Sequence, residues 1–120
     1  TLWKEYHKEV GHIMTSELLG LGLIDKADVK NENPDWPAYK KYFMHGTSHH
    51  MGLDTHDYGL LWEPMQANMV FTVEPGIYIP EEGFGIRLED DVVIQQTGAP
   101  FNLMKNIPIL ADEIEDLMNS

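Results

Sequence analysis

Between Met69 and Ile94 the chain writes three short apolar runs separated by turn formers. Residues 69–73 (Met-Val-Phe-Thr-Val) and 77–79 (Ile-Tyr-Ile) are rich in β-branched and aromatic side chains and too short for helices. They read as strands. Glu74-Pro75-Gly76 breaks them, because Pro75 has no N–H to give to a ladder. Residues 84–94 read as one further strand, with Gly83 leading into it and Thr97-Gly98 beyond its end. Helical periodicity lies outside this region. Leu2, Tyr6, Val10, Ile13, Leu18 and Leu21 are spaced as on one helix face, and Gly20 or Gly22 can stop that helix. Ile114, Leu117 and Met118 mark a closing helix over 111–118. The expected arrangement is therefore α+β, in one domain without internal repeats. Residues 25–38 read as a connection built on Asn31, Asn33, Pro34, Asp35 and Pro37, with Trp36 as its anchor. A short helical turn follows over Tyr39–Phe43.

Charge narrows the partners. With 20 acids against 8 bases the net charge is −12, which disfavours nucleic acid and anionic membranes as partners. The same balance fits a cation site, but plain solubility is the simpler reading of it. No run of 18 apolar residues is present, and a cytoplasmic location is the expectation. Without cysteine, disulfides and thiolate metal sites are excluded.

Chemistry concentrates in three places. Four of the six histidines, His45, His49, His50 and His56, fall within twelve residues. His45 and His49 are four apart, as two zinc ligands on a helix are. However, Gly46, Thr47 and Gly52 disfavour helix and the expected glutamate is missing, so the segment reads as strand and loop. His7 and His12 in the opening helix read as surface or packing residues. The second place is Glu74, a carboxylate inside an apolar run. Burying it requires a cation, a donor or a proton. Taken alone, a type II turn over Pro75-Gly76 with Glu74 in water is the simpler reading. The third place is Glu89-Asp90-Asp91, two residues after Arg87, the only arginine. In one continuous strand Arg87 and Glu89 share a face. They are either a surface ion pair or a metal-ligating carboxylate with a guanidinium beside it.

Together the segments spell HGxSHxxGLDxHD, TVEPGxY and GIRxEDDVV, in that order, from about Phe43 to Ile94. This pattern resembles the C-terminal part of the Xaa-Pro aminopeptidase branch of the creatinase and methionine-aminopeptidase-like metallopeptidases. The resemblance implies the C-terminal half of a "pita-bread" fold, with antiparallel strands, flanking helices and two bridged divalent metals. Manganese is the implied metal, with cobalt, zinc or iron as alternatives. On the matching positions His49 and Glu74 would bind one metal and Glu89 would bridge both. His45 and His56 would be catalytic and, with Arg87, substrate-binding. The implied substrates are peptides with proline at the second position. Prolidase, a dipeptidase on the same scaffold, is the alternative, and a non-catalytic binding module is a third reading.

The family's site has two further aspartate ligands on an earlier hairpin. None of the acids before His45 matches that pattern. The expectation is that residues 1–120 are a partial domain that carries three of five ligands, is inactive in isolation and associates with itself into a homo-oligomer. His50 and Asn68 depart from the family's usual residues without removing a ligand.

Overall fold

Pro75 sets the architecture of the strand region. In the computed structural model, which describes residues 1–120, β1 (Val70–Val73) and β2 (Gly76–Ile79) are two halves of one hairpin arm. A 3-10 turn at Pro80–Glu82 reverses the chain, closed by Gly83 at φ 70°, a left-handed conformation that suits glycine. The returning arm is β3 (Phe84–Arg87) and β4 (Asp90–Val93). β2 pairs antiparallel with β3, and β1 with β4. The expected single strand over 84–94 is thus two strands, interrupted at Leu88-Glu89. The cause lies across the ladder. Leu88 donates its N–H to the Pro75 carbonyl at 3.3 Å, but Pro75 cannot return the bond. No turn forms at Pro75-Gly76, so the type II turn is also corrected.

The register is unchanged across the gap. Val73 faces Asp90 on one side and Gly76 faces Arg87 on the other, so Glu74 stands directly opposite Glu89. Side-chain alternation therefore runs through the break and divides the hairpin into two faces. Thr72, Glu74, Gly76 and Tyr78 share one face with Gly85, Arg87, Glu89 and Asp91. The opposite face is apolar. It packs Phe71, Val73 and Val92 around Trp3, and it lines a greasy cavity of about 410 Å³ with Ile77, Ile79, Phe84, Ile86 and Leu88.

Two further segments extend the sheet. β5 (Phe101–Asn102), unforeseen from sequence, adds to β4. On the free edge of β1, Thr47–Met51 runs antiparallel through three backbone bonds: Glu74 to Thr47 (2.7 Å), Thr72 to His49 (3.0 Å) and Met51 to Val70 (3.3 Å). The histidine segment is thereby fixed against the strand that carries Glu74.

α1 (Trp3–Gly20) spans two small cores. Trp3 at its start joins the Phe71–Val92 cluster, and Leu18 near its end joins Ile24, Tyr39, Tyr42 and Phe43. The Leu2 N–H at its start is satisfied by the Glu5 carboxylate at 3.1 Å. Gly22, at φ 75°, ends the helix in a Schellman motif: Leu23 bonds back to Leu18 (3.1 Å) and Gly22 to Leu19 (3.1 Å). Gly20 stays helical.

The expected connection over 25–38 contains a short helix, α2 (Lys26–Lys30). It is held by a reciprocal cap in which Asp25 accepts from the Asp28 amide (2.8 Å) and Asp28 from the Asp25 amide (2.9 Å). The closing helix α3 (Ala111–Met118) forms, but buries no residue.

Only 12 of 120 residues are buried, and the radius of gyration, 16.4 Å, exceeds the roughly 14 Å of a close-packed chain of this length. The molecule is an open slab, and both faces of the hairpin lie near its surface.

Candidate active site

The polar face of the hairpin break gathers the candidate residues. His49 is anchored twice to Thr72. Its amide donates to the Thr72 hydroxyl at 3.1 Å, and its carbonyl accepts from the Thr72 amide. Its ring Nδ1 lies 2.9 Å from the His50 carbonyl. A carbonyl only accepts, so Nδ1 carries the proton and Nε2 of the neutral ring presents a bare lone pair. That atom lies 3.4 Å from Glu74 Oε1, with side chains only 22% and 16% exposed. Two acceptors so placed require a proton or a cation between them.

Glu89 adds a third acceptor. It faces Glu74 across the break, and like charges directly opposite in a ladder repel. Its carboxyl is pushed above the usual glutamate range, first by desolvation, then by the Glu74 charge and hydrogen bonding with Glu74, and further by Asp91. Arg87 pulls the other way without cancelling them. One imidazole lone pair and two carboxylates thus converge on one face of the hairpin. This donor set suits a divalent ion of intermediate hardness. The side chains are not already drawn into a cage: no group of three or more histidines or carboxylates stands arranged to hold an ion.

His45 and His56 flank this group. The His56 ring meets His49 edge-on at 4.3 Å between centroids and is otherwise exposed. His45 Nδ1 bonds the Gly46 carbonyl at 2.8 Å, so its Nε2, 2.8 Å from the Tyr78 hydroxyl, accepts from that O–H in the neutral ring. Tyr78 was not singled out from sequence. Its signal was present: Glu74, Gly76 and Tyr78 alternate onto one face. Two glycines make its seat. A Cβ on Gly76 would lie 2.6 Å from the Tyr78 hydroxyl and 3.0 Å from His45 Nε2, and one on Gly85 would collide with Tyr78 Cδ1. Arg87 is exposed on the same face, opposite Gly76. Asp91 faces Thr72 across the ladder and leaves Oδ1 buried without a partner.

Known proteins similar to this chain include peptidases. The family model described as metallopeptidase family M24 matches residues 1–96. An Xaa-Pro aminopeptidase of Escherichia coli is 44% identical over 92% of this chain and 27% of its own length. Xaa-Pro aminopeptidase 3 of Homo sapiens is 38% identical over 87% of this chain and 23% of its own length. Among solved structures, the Pseudomonas aeruginosa aminopeptidase PepP superposes with a TM-score of 0.78 at 34% identity, covering 98% of this chain and 29% of that one. These likenesses bear out the α+β pita-bread fold expected from the motifs. The chain spans less than a third of the length of each relative.

Proposed function

The chain belongs to metallopeptidase family M24, and from that premise we propose that it supplies part of an Xaa-Pro aminopeptidase, which hydrolyses the bond between an N-terminal residue and a following proline. The observation that carries the metal chemistry is the in-register confrontation of Glu74 and Glu89 beside the His49 lone pair. The substrate class is supported by the relatives' names.

Family membership implies a divalent metal. In our reading two ions, manganese by preference, would be held with the help of His49, Glu74 and Glu89. When bound, they supply Lewis-acid polarisation of the scissile carbonyl and an activated water. The chain's own residues do the rest. Thr72 holds the His49 backbone, and the His50 carbonyl fixes the tautomer that aims Nε2 at Glu74. Tyr78 and the Gly46 carbonyl clamp His45 at both nitrogens, so its ring can take up a proton without turning. His56, on the solvent side of His49, is placed to meet the peptide. Arg87 offers a guanidinium to a substrate carboxylate on the same face. Residues 1–120 supply three of five ligands as a partial domain, and self-association through exposed side chains such as Phe84 and Ile86 belongs to the same reading.

The test uses the 120-residue chain with manganese and an Xaa-Pro-Xaa tripeptide. Negligible turnover is expected, with weak binding of one ion that is lost in His49→Ala and Glu74→Gln. Turnover abolished by Glu89→Ala would overturn the three-of-five assignment. Tight binding of two ions per chain by calorimetry would do the same. In the protein that completes the site, cleavage of the tripeptide in preference to an Xaa-Pro dipeptide separates the aminopeptidase from prolidase.

A further inference from the structure

Away from the hairpin, the first half of α1 carries a second concentration of polar side chains. In a chain with net charge −12, a pocket of about 390 Å³ is walled by Lys4, Lys8 and Lys40 together with the imidazoles of His7 and His12. Helical spacing accounts for the α1 members, since positions three and four apart share a face. Lys40 arrives from the 3-10 turn at Ala38–Lys41, which packs on that face. None of the three lysines has a carboxylate within ion-pair distance; the lysine that does is Lys41, 3.4 Å from Glu81. The acid on the wall, Glu32, commits an oxygen to the Ala38 amide at 2.8 Å.

Tyr39 also lines this pocket. The residue is only 8% exposed, and its ring is seated on Gly11, where a Cβ would lie 2.9 Å from Cε1 and 3.0 Å from the hydroxyl. That hydroxyl makes no hydrogen bond to the protein, unlike those of Tyr6 and Tyr78. Burial, and then the nearby Glu32, push its ionisation up, so it remains an O–H donor.

We infer that this pocket is an anion site for a compact oxyanion of the phosphate type, with Lys4, Lys8 and Lys40 supplying charge and the Tyr39 hydroxyl a directed donor. Such a group accepts several hydrogen bonds at once, and the lysine ammonium groups and the Tyr39 hydroxyl can each donate one, with Lys40 lying 5.0 Å over the Trp36 ring and the second Glu32 oxygen opposing them. The site stands out as a cluster of cations in a chain whose net charge is −12. It also adjoins the candidate active site. Lys4 and His7 wall a second cavity, of about 300 Å³, that reaches Gly46, Thr47 and Ser48. The Tyr6 and Ser48 hydroxyls, 2.9 Å apart, tie α1 to that loop. An anion held on α1 thus sits behind the loop between His45 and His49.

The test is a titration of the metal-free protein with inorganic phosphate at fixed pH and ionic strength, followed by imidazole resonances. Saturating shifts are expected at His7 and His12, with His56 unmoved. Lys8→Gln and Lys40→Gln should each weaken binding about tenfold, as expected for loss of a charge-assisted bond. Lys26→Gln, on α2, should leave it unchanged. A parallel titration with a sugar phosphate separates free phosphate from a phosphate ester, the tighter of the two identifying the source. Shifts that grow linearly without saturation would overturn the proposal, as would Lys26→Gln weakening binding as much as Lys8→Gln. Tyr39→Phe should also weaken binding, and the wild-type titration decides the matter even where that variant fails to fold.

Discussion

Glu89→Gln should make the metal-free protein more stable and the manganese-loaded protein less stable than the wild type. The geometry sets both signs. Glu74 and Glu89 face each other across the hairpin break, so the apo structure holds two carboxylates where a ladder disfavours like charges. Two unit charges about 4 Å apart repel by roughly 4 kcal/mol near a protein surface. Glu89 is exposed, however, and solvent screens most of that. Pairs directly opposite in a sheet typically cost about 0.2–1 kcal/mol net. Glutamine removes the charge and gives Glu74 an N–H donor, so the gain should be about 0.5–1 kcal/mol, or roughly 2–4 °C in Tm. With manganese at a hundred times its Kd the wild type gains about 2.7 kcal/mol by mass action, and a variant that has lost a ligand gains little. The two melting curves therefore change order between chelator and manganese. Circular dichroism melts in both buffers supply the measurement. A Glu89→Gln protein that melts below the wild type in chelator, or that is stabilised equally by manganese, would refute the reasoning. The pH dependence has a matching sign. The folded-state value of Glu89 is raised above its ordinary 4.5, so just above that pH the folded chain keeps a proton that the unfolded chain has lost. Stability falls as pH rises through that window and is level below it, and Glu89→Gln should abolish that part of the fall.

The glycine seats and the helix caps make further predictions. Gly76→Ala should cost about 1–3 kcal/mol by overpacking and part His45 from Tyr78, visible as a shift of the His45 imidazole resonances, because the new methyl meets both rings' polar atoms. Gly11→Ala sets a helix-propensity gain of about 1 kcal/mol against a collision with the buried Tyr39 ring. The collision should win, and a lower denaturation midpoint checks it. Asp25→Ala removes half of the α2 cap and should cost about 1 kcal/mol in chemical denaturation. In the protein that completes the site, His56→Ala should lower turnover by about 100-fold or more while metal content stays nearly full, measured on one preparation. Equal loss of both would make His56 a ligand.

Much of this fold is local, and what is local was legible. The α1 face, its stop near Gly22, the strands at 69–73 and 77–79 and the motifs around them follow from periodicity and turn chemistry within a few residues. α2 was missed: the Asp25 and Asp28 pair that caps it is a local signal, but the prolines and asparagines after it make the segment read as a connection. The interruption at Leu88-Glu89 was not legible there, because neither residue breaks a strand. Its cause is Pro75, thirteen positions earlier and opposite in space. The Tyr78 role depends on His45, 33 residues away, and on two glycines that only the pairing brings beneath one ring.

The pairing of Glu74 with Glu89 stands between these cases. Each glutamate is conspicuous by itself, yet each has an ordinary reading, and only register decides. The register follows from where the chain turns, at Pro80–Gly83, since a turn there pairs residues equally distant on either side. Neither glutamate has a lysine or arginine within ion-pair distance to hold it in place. Their meeting is instead a consequence of turn length and of the alternation that keeps Ile77, Ile79, Ile86 and Leu88 on the apolar side. A slip of one residue would turn Phe71, Val92, Ile77 or Ile79 away from the cores they pack in and send Glu89 to the opposite face, so the hydrophobic pattern on the back of the hairpin opposes any other register. The apolar face thereby fixes the geometry of the polar one, and the repulsion between the two carboxylates is sustained by burial that takes place on the other side of the sheet.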